Sequence, residues 1–145
     1  MPYLLPGDLN THIYEENRDE IAREDNSVVQ TCIDAAIAEV KSYLSRFDLL
    51  KIFGDGDTVE PTHADENLKN KVKDVATWHL VCLANPNIQM EVARTRYEDA
   101  IKWLTMVQSG KADPKLPMPV DDEDTDFDES TNIQWNSNPK RNNHY

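Results

Sequence analysis

The chain has 145 residues, enough for one domain with a genuine core, and carries a formal net charge of −12 from 27 acidic and 15 basic side chains. That balance disfavours electrostatic binding to bare phosphate backbone, and the basic residues are scattered rather than clustered with aromatics, so a basic-patch reader of nucleic acid is excluded as a class. No run of roughly eighteen apolar residues occurs, and the start MPYLLPGDLNTH has neither a basic region nor an apolar stretch of signal length, so a soluble, unexported protein without membrane contact is expected.

Tyr3-Leu4-Leu5 forms a short apolar lead-in, and Pro6-Gly7-Asp8-Leu9 suits the first turn of a helix, because proline is tolerated where the amide has no partner and Asp8 favours the positive helix end. From Glu15 to Asp25 the sequence is strongly charged, with Ile21 as its main anchor, which predicts a second and mostly exposed helix. Asn26-Ser27 supplies capping chemistry for the longest helical pattern, running to about Phe47. Val29, Cys32, Ile33, Ala36, Ile37, Val40, Tyr43, Leu44 and Phe47 share one face of it, and Glu39, Lys41 and Arg46 fall on the other. This is the central helix.

Residues 54–63 hold two of the four glycines and read as an exposed connection. Near Asp65 a further helix begins, aligning Leu68, Val72, Val75, His79, Cys82 and Leu83 and ending at Asn85-Pro86, since the residue before proline avoids the helical region. Its second half, Trp78 to Ala84, is apolar nearly all round and is expected to be buried on more than one side. Cys32 and Cys82 lie on the apolar sides of two separate patterns, as buried free thiols do, and two lone cysteines make neither a disulfide framework nor a zinc site.

Met90 to Lys111 is the cleanest amphipathic pattern. Met90, Ala93, Tyr97, Ala100, Ile101, Leu104 and Val107 gather into a stripe with Trp103 on its shoulder, opposite Arg94, Glu98, Asp99 and Lys102. Gly110 is placed to stop this helix in the left-handed conformation, with Lys111 favouring the negative dipole end. The short Asn85-Pro86-Asn87 link predicts that the last two helices form an antiparallel hairpin. From Ala112 to Tyr145 there are four of the eight prolines and the acidic run Asp121 to Glu129, with no helical stripe; an extended acidic tail is expected, disordered on its own for want of apolar burial. The fold class is therefore all-α: a small bundle of four to five helices over residues 1–111 with a tail over 112–145.

Candidates for chemistry are few. His79 sits amid an apolar stripe with Cys82 at i+3 but no acid at i+3 or i+4, and reads as a core histidine. Asp55, Asp57 and Glu60 resemble half of a calcium loop, but the further oxygen ligands and the distal Glu are missing. The alternating acids Asp122, Asp124, Asp126 and Asp128 suit a solvated tail. No phosphate-cradling glycine loop, nucleophile elbow or metal spacing occurs, so no catalytic residue, metal or cofactor is expected. Trp78 and Trp103 are interface candidates as aromatics on the two hairpin helices. Phe127, Ile133 and Trp135 join them because they break the polar pattern of the tail.

Arg96-Tyr97-Glu98-Asp99-Ala100-Ile101-Lys102-Trp103-Leu104, closed by Ser109-Gly110-Lys111, resembles the C-terminal helix of the phage Mu-like head-tail connector (adaptor) proteins. Cys32 to Ile37 and Ser42-Tyr43-Leu44 are similar to a central helix of that family, whereas Asp48 to Phe53 departs from the Tyr- or Pro-rich loop its members often carry. The resemblance covers about residues 1 to 111 and leaves the acidic tail outside. It implies a non-enzymatic, all-α subunit that multimerises into a ring between portal and tail, found in the virion and in the host cytoplasm during assembly. A second reading, from charge alone, is an acidic regulatory module that mimics DNA or binds a basic partner.

Overall fold

The computed structural model describes residues 2–84 and 90–120. Six helices and no strand occur among them: a 3₁₀ turn at Pro6–Thr11, then α1 (Glu15–Ala22), α2 (Asn26–Tyr43), α3 (Leu49–Phe53), α4 (Glu66–Val81) and α5 (Met90–Gln108). The all-helical fold read from the pattern therefore holds; α4, rather than the α2 helix expected to be central, packs closely against both α2 and α5, which touch each other less.

The stripes explain this packing. On α2, Val29, Ile33, Ala36 and Val40 are wholly or almost wholly buried; on α4 so are Leu68, Val72, Val75, Ala76 and Leu80; on α5, Ala100, Leu104 and Val107. Tyr3, Leu4 and Leu9 join the same core, as do Ile52 and Phe53 of α3, with the Tyr3 and Phe53 rings edge to face at 4.8 Å. Helix starts follow cap chemistry. Asp25 rather than Asn26 caps α2, accepting from Ser27 N at 2.9 Å, and Asp65 caps α4, accepting from Leu68 N at 2.7 Å. At the end of α5, Gly110 has φ of 80°. Its N–H donates to Val107 O, and Lys111 N–H donates to Met106 O, the two bonds of a Schellman stop. Arg46 of the α2–α3 link adds a guanidinium on Val107 O at 2.9 Å, placing a cation at the negative end of that helix.

Four expectations need correction. Helix α1 ends at Ala22, because Arg23 and Glu24 both take positive φ, and it is less exposed than its charge suggested. Arg18 is only 6% exposed, its guanidinium bonded to Pro6 O at 2.9 Å and Asn10 Oδ1 at 2.6 Å, which pins α1 to the 3₁₀ turn. Helix α2 stops at Tyr43, and Asp48 then caps the separate α3 by accepting from Lys51 N. Helix α4 ends at Val81, and Cys82, Leu83 and Ala84 are exposed, so the apolar segment is not buried all round. Finally, the packed body runs past Lys111: Leu116 is buried in the core and Asp48 N–H donates to Pro117 O at 2.9 Å.

Candidate interaction surface

Glu39 was expected on the solvent face of α2; it is instead the polar link between three helices. Its Oε2 lies 2.7 Å from His79 Nε2 of α4, and Tyr97 Oη of α5 donates to its Oε1 at 2.8 Å. Trp78 stacks on the Tyr97 ring at a centroid separation of 5.8 Å. Burial first, and then the Glu39 hydrogen bond and charge, push the Tyr97 hydroxyl up to about 12. His79 is thus half-exposed and paired across helices, a partner that local i+3 and i+4 spacing could not have revealed. This cluster fixes α4 and α5 on α2; it holds no nucleophile.

A second polar chain lies at the other flank of α4. His12 Nε2 is 3.2 Å from Asp74 Oδ1, and His12 Nδ1 is 2.7 Å from Thr11 Oγ1. A hydroxyl, an imidazole and a carboxylate in line suggest acyl-transfer chemistry. The Thr11 hydroxyl, however, also lies 3.4 Å from Asp8 O in its own turn, and it precedes His12 directly in sequence, so we read the chain as a brace of the 3₁₀ turn on α4.

That brace forms one wall of a cleft of about 440 Å³ between the 3₁₀ turn, α4 and the first turns of α5. Ile13, Tyr14, Val81 and Val92 give it apolar lining, and Thr77 and Arg96 contribute polar groups. Tyr14 is 78% exposed and Val92 45%, while Leu83, at 59%, stands at the same end of α4 beside a smaller apolar groove lined by Val28, Cys32 and Ala35 of α2. Leu5, Leu50, Met118 and Val120 are exposed elsewhere on the surface; beside the cleft, Tyr14 and Val92 form an apolar rim of the kind that marks a contact surface.

Of the residues the sequence singled out as interface candidates, Trp78 and Trp103 are both partly buried, the first against Tyr97 and the second against the core. Phe127, Ile133 and Trp135 lie outside the described residues. Sequence reasoning missed Tyr14, Leu83 and Val92, because a lone aromatic in a charged segment and apolar residues on helical stripes read as core or as neutral surface. No group of three or more metal-ligating side chains occurs among the described residues, and no helix there is long and apolar enough to cross a membrane.

A family model described as Bacteriophage Mu, Gp36 matches residues 3–134. The chain belongs to that family. It is accordingly a phage protein, and the matched span runs beyond Lys111 through the acidic run, where the sequence resemblance had stopped. No curated protein and no solved structure matches the chain. Within the Mu Gp36 family match fall all three of the features just described: the Glu39 cluster, the cleft and the exposed end of α4.

Proposed function

We propose that this chain is a head-tail connector, a neck adaptor subunit that oligomerises into a ring between portal and tail and catalyses no reaction. Its partners in this reading are further copies of itself, the portal, and proteins on the tail side. Its place is the virion, after a stage in the host cytoplasm. The last two helices, α4 and α5, form the antiparallel hairpin of the subunit.

The observation that carries the reading is the exposed apolar surface on a member of a phage family. Tyr14, Leu83 and Val92 stay in water in the single chain, and an assembly would cover them. The charge of −12 suits the wall of a DNA passage, which must not adhere to its cargo. The same charge favours the DNA-mimic reading, and competition separates the two: a mimic displaces duplex DNA from a basic DNA-binding protein, whereas a connector leaves it bound. Sedimentation of the purified chain mixed with the portal of the phage that encodes it tests the connector directly. Co-sedimentation at fixed stoichiometry is expected, and independent migration at every concentration tried would overturn the assignment.

A further inference from the structure

We propose that the cleft between the 3₁₀ turn, α4 and α5 is the docking site for the acidic-aromatic segment Asp124–Glu129 of a second copy of this chain. The inference rests on the ring reading and adds the contact that links neighbours.

The cleft is built for an occupant with an apolar body and a negative group. Its walls expose Tyr14 and Val92 beside Ile13 and Val81. A buried aromatic ring removes about 150–250 Å² from water, enough to cover such walls. Among its charged lining groups, His12 and Asp74 already satisfy each other, whereas Arg96 makes no ion pair or hydrogen bond with any described residue. Arg96 is exposed at the rim of the cleft, and its guanidinium is placed to pair with a carboxylate that enters there. On the cleft floor Thr77 is only 8% exposed, and its Oγ1 lacks a hydrogen-bond partner among the described residues. The sequence supplies the complementary chemistry in Asp124-Thr125-Asp126-Phe127-Asp128-Glu129, a phenyl group between carboxylates.

The ring reading assigns the segment to a neighbour. The described chain leaves the body beyond Pro117, which Asp48 holds next to the α2–α3 link, and Arg46 of that link touches Val107 near the end of α5. The cleft instead involves Val92 and Arg96 in the first turns of α5. At 1.5 Å per residue the two places are about 17–22 Å apart along the helix. Two different patches at opposite ends of one element are what a head-to-tail contact joins, and such contacts close into rings when the rotation permits. From Val120 to Asp126 an extended chain spans at most about 20 Å, no more than the separation along α5.

The test uses full-length chains with Cys82→Ser, which removes the exposed thiol. One tagged chain carries Val92→Cys and a differently tagged chain Asp128→Cys, and the two are mixed under oxidised glutathione. A mixed disulfide is expected, well above that formed when Leu50→Cys on α3 replaces Val92→Cys. Adding Arg96→Glu should cut its yield on the order of tenfold, the factor about 1.4 kcal/mol represents, with Asp126→Lys on the other chain restoring it. Trapping no greater than at Leu50→Cys, or a disulfide formed only within single chains of a Val92→Cys/Asp128→Cys double variant, overturns the proposal. Rings seen by electron microscopy without intermolecular trapping would sink this contact and leave the connector reading standing. Trapping between chains that never form rings would remove the connector reading and leave the cleft contact.

Discussion

Leu104→Ala tests whether the α5 stripe faces the core. Leu104 is wholly buried between Ala100 and Val107, and the cluster around it spans α2 and α4. Removing three carbon atoms forfeits roughly 2.4 kcal/mol of transfer free energy at about 0.8 kcal/mol each. The void adds about 24 cal/mol for every Å³ that does not collapse, so an unrelaxed hole of roughly 70 Å³ adds about 1.7 kcal/mol. The expected loss is therefore about 2–4 kcal/mol, a large share of the roughly 5–15 kcal/mol that holds a domain folded. Urea unfolding followed by far-ultraviolet circular dichroism reads this as a lower midpoint with the slope unchanged. The sequence places Tyr97 on the same stripe, but it is only half-buried, so Tyr97→Ala should cost less than Leu104→Ala. A loss below about half a kcal/mol at Leu104, where core truncations to alanine normally cost 2–5, would refute the packing described above.

Three further outcomes follow from particular contacts. Tyr97 should titrate near 12 by ultraviolet absorbance, and Glu39→Gln should lower that value by removing the carboxylate it donates to. Because the folded value is raised, the contribution of this group to stability is intact below the ordinary tyrosine value of about 10 and is lost as pH rises from there through 12. A Tyr97 titration unmoved in Glu39→Gln would contradict the cluster. Asp65→Ala should destabilise by about 1 kcal/mol through loss of the α4 cap, and Asp65→Asn by less, checked by the same urea curves. A thiol reagent should label Cys82 rapidly in the native chain and Cys32 only after unfolding, since Cys32 is buried and burial pushes its thiol up; two fast thiols would mean that α2 does not seat as described.

Elements with long periodic stripes were legible in the sequence. The core faces of α2 and α5, the first half of the α4 face, the start of α4 near Asp65 and the Gly110 stop follow from spacing and local chemistry, whereas Leu80 and Val81 are buried where His79, Cys82 and Leu83 were expected. Helix α3 was not legible, since five residues complete little more than one turn and carry no period. The exposure of Cys82 and Leu83 was misread because an apolar run says that burial is favourable without saying what covers it. The Glu39, His79 and Tyr97 cluster and the Thr11, His12 and Asp74 brace join residues from separate elements, and no local pattern encodes such pairings. Arg18 illustrates the same limit: in a charged helix it reads as solvated, yet the carbonyl of Pro6 and the side chain of Asn10 fold back to enclose it. The cleft that these contacts frame was therefore invisible until the 3₁₀ turn, α4 and α5 were brought together.

The connector assignment is tested most directly by cryo-electron microscopy of the neck of the phage particle that encodes this chain. The account predicts a closed ring of repeated copies between portal and tail, each fitting the helical body with the exposed end of α4 covered by neighbours. A neck whose density is fully accounted for by other proteins, with this chain absent from purified particles by mass spectrometry, would contradict it.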